Sequence, residues 1–206
     1  MLVQELRRLR DARTLSEIVV ATTTQPRDDV VAELAEAEGV RCFRGDEDDV
    51  LRRYVEAARS SAADVVVRLT ADCPLIDPGL VDQVAGTLVA GVAEFDYVSN
   101  VVRRTYPQGL DAEALFVDTL ERVDRLARSR EAREHVTWFI TSERPELFVI
   151  GSVTDDHDNS DLRWTVDTPT DLELVRRLYD DLDLDASALD YRTILAHVRA
   201  HPELAS

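Results

Sequence analysis

Residues 64–77, Asp-Val-Val-Val-Arg-Leu-Thr-Ala-Asp-Cys-Pro-Leu-Ile-Asp, decide the fold class of this chain. The run Asp64–Leu69 is short, apolar and rich in β-branched residues, which is typical of a strand buried inside a sheet. A turn-rich loop, Thr70–Pro78, follows and leads into a helical pattern that ends near Ala90. The segment therefore predicts a strand, a loop and a helix, which together form the repeating unit of α/β proteins.

The same alternation continues on both sides of this unit. Further strands are predicted at Glu17–Thr22, Val40–Phe43, Phe95–Ser99, Leu110–Phe116, Leu147–Val153 and Leu162–Val166. Further helices are predicted at Asp28–Gly39, Asp48–Ser60, Asp118–Ser129, Arg133–Ser142, Pro169–Leu182 and Leu189–Ala200. The pattern predicts a single α/β domain over residues 1–206 with a doubly wound, mostly parallel sheet. Such sheets bind ligands at the carboxyl ends of their strands.

Composition restricts the chemistry before any motif is considered. The chain has 206 residues and a formal net charge of −17, and all 24 residues counted as Lys or Arg are arginine. Because lysine is absent, any bound phosphate has to be held by arginine, by backbone N–H groups or by a metal ion. The acidic balance argues against non-specific binding to nucleic acid or to an anionic membrane.

The sequence also indicates a cytoplasmic protein. Its first residues, Met-Leu-Val-Gln-Glu-Leu-Arg-Arg, lack the apolar core of a secretory signal. No apolar run approaches the roughly 20 residues that span a bilayer. Cys42 and Cys73 match no metal-ligand spacing, so they are interpreted as reduced thiols.

Two segments share one construction, in which an apolar strand is followed by an aspartate and then by a proline. Asp72 precedes Pro74, and Asp167 precedes Pro169 at the start of a predicted helix. Two carboxylates at one sheet edge could share Mg²⁺, which prefers one or two carboxylates together with phosphate oxygens. Each aspartate also has a simpler interpretation as a turn or helix-capping residue.

Three other polar segments could carry binding residues. The acids of Gly45–Arg53 suit a helix N-terminus, while Gly45 would let a base or ribose approach the backbone. Asp111 and Glu113 alternate on one face of a predicted strand, as ligands of sugar hydroxyls would. The triplet Asp156-His-Asp158 contains a DxD pattern, which keeps a glycosyltransferase open as an alternative.

These motifs occur in an order that resembles the SpsF-like cytidylyltransferases of polysaccharide biosynthesis. They are ATTTQPRDD, FRGDEDDVLRRY, VVRLTADCPLID, DYVSN, RTYPQGLDAEAL, REHVT and LRWTVDTPTDLELV, and the resemblance covers the chain from Met1 to about Tyr179. More distantly, the chain resembles the synthetases of CMP-activated KDO and CMP-activated sialic acid. The resemblance implies a nucleotide-diphospho-sugar transferase (GT-A-like) fold, Mg²⁺ dependence and transfer of CMP from CTP to a sugar-like acceptor.

The resemblance also implies roles for individual residues and is compatible with a homodimer. Asp72 and Asp167 resemble the metal-binding aspartates, and Arg68 resembles the arginine that precedes the metal loop. The residues implied at the nucleotide are Ala21, Thr22, Asp28, Gly45 and Asp49. Those implied at the acceptor are Gln108, Asp111, Glu113, Arg133, Glu134 and His135.

One departure from the family concerns its first strand and its basic phosphate loop, of the type AR-x-x-S-T-R-L-P-G-K. Those elements normally precede the helix that begins here at Met1. In the family this strand lies inside the sheet. Without it, we expect a gap in the sheet with unpaired backbone groups on the strands at both sides. Alternatively, another element, such as one from a partner chain, covers the gap. Without the loop, we expect a poor or inactive transferase, and a catalytically silent nucleotide-sugar binding or regulatory protein is the alternative.

Overall fold

The computed structural model describes residues 1–186 and 189–204, in which strands and helices alternate. The strands are β1 (Val19–Thr23), β2 (Arg41–Gly45), β3 (Val65–Arg68), β4 (Tyr97–Ser99), β5 (Glu113–Phe116) and β6 (Ile150–Ser152). The α-helices are α1 (Leu2–Leu9), α2 (Asp29–Ala37), α3 (Val50–Ser60), α4 (Pro78–Ala90), α5 (Val117–Leu126), α6 (Arg130–Glu134), α7 (Pro169–Leu182) and α8 (Tyr191–Ala200).

The strands described form two sheets. One contains β1 and β2, which pair in parallel. The other has the order β3-β5-β4-β6, in which β5 is antiparallel to both of its neighbours and β6 is parallel to β4. The α/β class is confirmed. The reversed direction of β5 and the interruption between the sheets are features that the strand pattern alone did not reveal.

The second sheet separates two hydrophobic clusters, because side chains alternate between its faces. Val98 and Ala114 pack on one face with residues of α4, α7 and α8. Tyr97 and Leu115 pack on the other face with residues of α3 and α5. Helices therefore cover both faces of this sheet, which is the layering expected of a doubly wound α/β fold.

An open region of about 1070 Å³, here called the interstrand slot, lies between β1 and β3. Consecutive residues of both strands line it, namely 18–22 on one side and 63–71 on the other. A sheet face would present alternate residues, so consecutive ones indicate that two strand edges border the slot. The run Val65–Arg68, predicted to be deeply buried, is only half-buried as a result. Among the described residues, β1 pairs only with β2 and β3 pairs only with β5, so each of these strands has an unpaired edge at the slot.

Two predicted elements differ from those observed. Leu162–Val166 is an extended segment whose only assigned pairing among the described residues is an isolated parallel bridge between Arg163 and Gln108. The predicted helix Arg133–Ser142 is replaced by the end of α6 and a π-helical turn at Phe139–Glu143. Val136 separates these two elements, because its φ of +51° cannot continue a right-handed helix.

Two of the sequence-based observations on compartment can be compared with the structure. Cys42 and Cys73 are free thiols, and Cys73 is buried. None of the helices within residues 1–186 and 189–204 has the length and apolar character needed to cross a membrane.

Candidate active site

The loop after β3 presents the carboxylate of Asp72 and is held in place at two points. The Tyr54 hydroxyl donates a hydrogen bond to the carbonyl of Leu69 over 3.0 Å, at the start of the loop. The backbone N–H of Val166 donates to the carbonyl of Asp72 over 2.9 Å. Among the described residues, the Asp72 carboxylate contacts the Cys73 thiol at 3.8 Å and has no cationic partner. The loop therefore offers an anionic group that is free to take a cation.

Asp167 lies one residue beyond that backbone hydrogen bond, so the two predicted metal-binding segments are adjacent. Its carboxylate accepts a hydrogen bond from the Arg163 guanidinium and lies 3.4 Å from the Thr165 hydroxyl. Arg163 also binds Asp171 over 2.8 Å. A metal ion would therefore have to compete with Arg163 for the Asp167 carboxylate.

Neither aspartate caps the helix that follows it, although the sequence left that interpretation open. Asp77 caps α4 by accepting the Leu80 N–H over 2.8 Å. Thr168 caps α7 in a capping box. Asp72 and Asp167 are therefore not used for helix capping.

A third segment packs against these two at Gln108 and Gly109. The N–H of Gln108 donates to Leu162 over 2.9 Å, and its carbonyl accepts from Trp164 over 2.7 Å. Gly109 has a φ of +104°, and an added Cβ would lie 2.7 Å from the carbonyl carbon of Trp164. Only glycine permits this approach, which brings the Gln108 segment beside the strip that leads to Asp167.

Two of the predicted acceptor ligands are already engaged within the protein. Arg104 binds both oxygens of Asp111, over 2.6 and 2.7 Å. The side chain of Asp111 therefore reaches an acceptor only together with this guanidinium, which the sequence analysis did not identify.

Glu113 lies below the site surface and is only 5% exposed. It accepts hydrogen bonds from Arg68, from the Tyr97 hydroxyl over 2.5 Å and from the Thr137 hydroxyl over 2.7 Å. Burial and the charge of Glu113 raise the pKa of Tyr97 well above its usual range. The hydroxyl therefore stays protonated and acts as the hydrogen-bond donor to Glu113. In this arrangement Glu113 orients Arg68 rather than facing an acceptor.

Of the predicted nucleotide residues, Ala21, Thr22 and Gly45 lie on the β1–β2 sheet, Asp28 lies in the turn before α2, and Asp49 precedes α3. The hydroxyls of Thr22 and Thr23 donate to Asp28, and the bond from Thr23 is the main cause that lowers the pKa of this carboxyl. Ala21 and Thr22 line the slot itself. A Cβ on Gly45 would lie 3.0 Å from the Arg53 side chain, so a larger residue here would require that side chain to shift.

Asp49 and Arg133 connect the two predicted groups of residues. One oxygen of Asp49 caps α3 through the Arg52 N–H over 2.9 Å, and the other binds Arg133 over 2.5 Å. Arg133 also binds Asp124 over 2.8 Å. Of the predicted cluster at 133–135, Arg133 is engaged in these ion pairs, while residues 134 and 135 (Glu134 and His135) are exposed.

The structure thus brings the segments of Asp72, Asp167 and Gln108 together, whereas Ala21 and Thr22 lie on β1, across the slot from β3. Residues near the site that sequence analysis missed are Glu5, Arg53, Tyr97, Arg104, Asp124 and Thr137. Only Glu5 had a readable signal, because it lies with Leu2, Leu6 and Leu9 at spacings that share one helical face.

The model of a family described as cytidylyltransferase matches residues 1–192. The chain belongs to the cytidylyltransferase family. It is therefore assigned to the nucleotidyltransferases, as the resemblance of its motifs implied.

Relatives of this cytidylyltransferase cover most of its length. MJ1063, an uncharacterized protein of Methanocaldococcus jannaschii, is 34% identical over 201 residues, which is 97% of this chain and 79% of that protein. The spore coat polysaccharide biosynthesis protein SpsF of Bacillus subtilis is 29% identical over 183 residues, which is 86% of this chain and 74% of SpsF.

Solved structures agree with the family assignment. A cytidylyltransferase from Leptospira borgpetersenii is 30% identical and superposes with a TM-score of 0.94, covering 99% of this chain and 84% of that chain. A CMP:2-keto-3-deoxy-manno-octonic acid synthetase, solved as a complex with CTP, has a TM-score of 0.61 at 19% identity, covering 87% of this chain and 88% of that chain. The second likeness supports the nucleotide-diphospho-sugar transferase fold.

Proposed function

We propose that this cytidylyltransferase transfers CMP from CTP to a sugar or sugar-acid acceptor and releases pyrophosphate, in the biosynthesis of a surface polysaccharide or a related product. The observation that carries the proposal is the backbone bond between Val166 and Asp72, which sets two candidate metal-binding aspartates side by side. The names of SpsF and of the CTP-bound synthetase support the pathway and the nucleotide, respectively.

The reaction requires alignment more than nucleophilic side chains. An acceptor hydroxyl oxygen bonds to the α-phosphorus of CTP in line, the bond to pyrophosphate breaks, and the hydroxyl proton passes to solvent. Arg68, held by Glu113, and Arg104, held by Asp111, would serve as preorganised cations. Fixed cations of this kind stabilise negative charge that spreads over the transferred phosphoryl group.

The residues present fit Mg²⁺ as the cofactor. Within the described residues no group of three or more His, Cys, Asp or Glu side chains is placed to hold a metal. A pair of carboxylates suits Mg²⁺, which completes its shell with water and substrate phosphate. Asp72 would anchor the ion, and Asp167 would join after releasing Arg163. The ion would neutralise phosphate charge that a protein of net charge −17 repels.

The silent nucleotide-sugar binding protein is retained as a second candidate function because of the interstrand slot. The slot of about 1070 Å³ separates the predicted nucleotide residues from the metal-binding segments. We therefore expect the 206-residue chain to turn over CTP poorly while the slot is empty. Turnover by this chain at rates comparable to those of complete family members would contradict that expectation.

The glycosyltransferase alternative has no support in the DxD segment. Asp158 accepts hydrogen bonds from the backbone and hydroxyl of Ser160, over 3.0 and 2.6 Å. The neighbouring Asp155 is buried and binds Tyr191 and Arg192. These carboxylates stabilise the loop and the start of α8.

The first prediction concerns Asp72→Ala, measured by pyrophosphate release with CTP, Mg²⁺ and a panel of sugar acids and phosphonates. The assay uses the 206-residue chain and a version extended upstream of Met1. We expect loss of the anchoring carboxylate to lower turnover by about 100-fold. Calorimetric titration with CTP should show loss of the Mg²⁺-dependent part of binding, a readout that does not require turnover.

Asp158→Ala is the matched control, because it removes a carboxylate from the DxD segment without touching the proposed site. It should leave turnover and CTP binding unchanged. Full activity of Asp72→Ala would show that the proposed metal site is wrong. Loss of pyrophosphate release in Asp158→Ala alone would place an essential carboxylate in the DxD segment rather than at Asp72.

A further inference from the structure

Two histidines lie one helical turn apart at the end of α8. His197 belongs to its last turn, and His201 is its C-cap residue. Both side chains are half-buried, and their ring centroids are 4.3 Å apart with the ring planes inclined by 34°. Side chains four residues apart on a helix share one face, and two histidines with this spacing can bind a single metal ion.

One nitrogen of each ring faces an acceptor within the protein. Nε2 of His197 lies 3.3 Å from Oδ2 of Asp181, and Nδ1 of His201 lies 2.9 Å from the carbonyl oxygen of His197. Because a carboxylate and a carbonyl accept hydrogen bonds, these two nitrogens carry the ring hydrogens. The lone pairs of the neutral rings are therefore on Nδ1 of His197 and Nε2 of His201. Histidines that bind metal ions commonly donate the other ring N–H in this way, which fixes the orientation of the ring.

The charges around the histidine pair favour a cation. The run 180–185, which begins in the last turn of α7, contains four aspartates, and Asp181 is one of them. Arg177 lies 3.6 Å from Asp181 but is also bound to Glu203 over 3.0 Å. A surface with an excess of negative charge raises the local concentration of cations. Imidazole nitrogens suit Zn²⁺, Cu²⁺ and Ni²⁺, whereas Mg²⁺ prefers oxygen ligands.

We propose that His197 and His201 form a binding site for one Zn²⁺ ion, with water completing its coordination shell. The site has two protein ligands, since among the described residues no group of three or more His, Cys, Asp or Glu side chains is placed to hold a metal. The bound ion holds the last turn of α8 in its helical form, because both ligands then stay on one face. Val198, in the same turn, packs in the core. The inference uses no residue of the proposed CMP transfer.

Calorimetric titration of the untagged 206-residue chain with Zn²⁺ tests the site, in a buffer with excess Mg²⁺ to occupy carboxylate sites. His197→Gln and His201→Asn each keep a side-chain N–H donor but lack the imidazole ligand. Each variant should weaken Zn²⁺ binding about 10-fold or more, because only one ligand remains. His157→Ala is the matched control, because its side chain is exposed and lies in a loop outside α8. It should bind Zn²⁺ as the parent chain does.

A second pair of variants separates orientation of the ring from simple attraction by charge. Asp181→Ala removes the carboxylate that faces His197 and should weaken Zn²⁺ binding about 10-fold. Asp180→Ala removes the same charge from the neighbouring exposed position and should have a much smaller effect. Equal weakening in the two variants would mean that net charge alone attracts the ion, which would overturn the geometry assigned to the site.

Nitrogen-15 NMR of the parent chain identifies the ligand atoms without any variant. Addition of Zn²⁺ should shift the resonances of His197 Nδ1 and His201 Nε2 more than those of the other two ring nitrogens. Absence of Zn²⁺ binding, full affinity in either histidine variant, an equal loss in His157→Ala, or binding through other nitrogens would each overturn the proposal. Because none of these readouts uses CTP, failure of the proposed CMP transfer would leave them unaffected.

Discussion

Glu5 is a buried carboxyl group on the otherwise apolar face of α1. It is 4% exposed, and its Oε2 atom has no hydrogen-bond partner among the described residues. Burial, with a smaller contribution from the charge of Asp72, raises its pKa from 4.5 to about 8. Between these two pH values the folded protein keeps a proton that the unfolded chain releases, so stability falls as the pH rises.

Glu5→Gln should remove this pH dependence, because glutamine has the same shape and does not titrate. A shift in the pKa of Glu5 from 4.5 to about 8 corresponds to roughly 5 kcal/mol of unfolding free energy. Urea unfolding at about pH 5 and pH 8.5 should show the parent chain losing several kcal/mol relative to the variant. Parallel pH profiles for the two proteins would mean that Glu5 is not buried unpaired in solution.

Asp77 connects the N-termini of two helices, so its contribution to stability involves both of these elements. One of its oxygens caps α4 through Leu80, and the other accepts the Tyr191 N–H at the start of α8 over 2.7 Å. Asp77→Ala should cost about 2 to 4 kcal/mol in urea unfolding, because it removes a cap and leaves a second buried N–H unpaired. Asp190→Ala removes only the N-cap of α8, where the Asp190 carboxylate accepts a hydrogen bond from the Thr193 N–H. This variant should cost only about 1 kcal/mol of unfolding free energy. Equal losses for the two variants would contradict the joining role.

At this same scale, the sequence predicted the helices well wherever a periodic pattern ended in a clear cap. It failed at Arg133–Ser142, where Val136 adopts a positive φ that no side-chain pattern announces. It also took Leu162–Val166 for a strand, although the backbone of that run is occupied by Gln108 and the Asp72 loop. In both places contacts from distant residues decide the backbone, and local periodicity carries no information about them.

The candidate site shows the same division between local and distant information. The adjacency of the Asp72 and Asp167 segments was predictable, because each aspartate follows an apolar run that ends at the same edge of the predicted sheet. The internal partners of Asp111 and Glu113 were not, because Arg104 and Thr137 carry no local signal of their role. Asp111 and Glu113 are therefore proposed to act by holding Arg104 and Arg68 in place through ion pairs.

At the scale of the whole molecule, the slot divides the sheet structure into regions of unequal support. Among the described strands, β4 and β5 are paired on both sides, whereas β1 and β2 pair only with each other. The helix that follows β1, α2, buries Ala35 alone. The region β1–α2–β2 therefore has fewer interactions to lose when it opens, which is the property of a segment that unfolds below the global free energy.

Native-state hydrogen exchange should resolve this difference in the 206-residue chain. We expect amides of β1 and β2 to exchange through openings that cost less than those of β4 and β5, with β3 in between, because one of its edges borders the slot. The amides of β5 are the internal reference, since their strand has neighbours on both sides. Uniform protection across all of these strands would show that the slot is closed in solution. Unequal protection would locate the weakest part of the sheet structure at the strands that border the slot, because their unpaired edges leave fewer hydrogen bonds to break when these strands open.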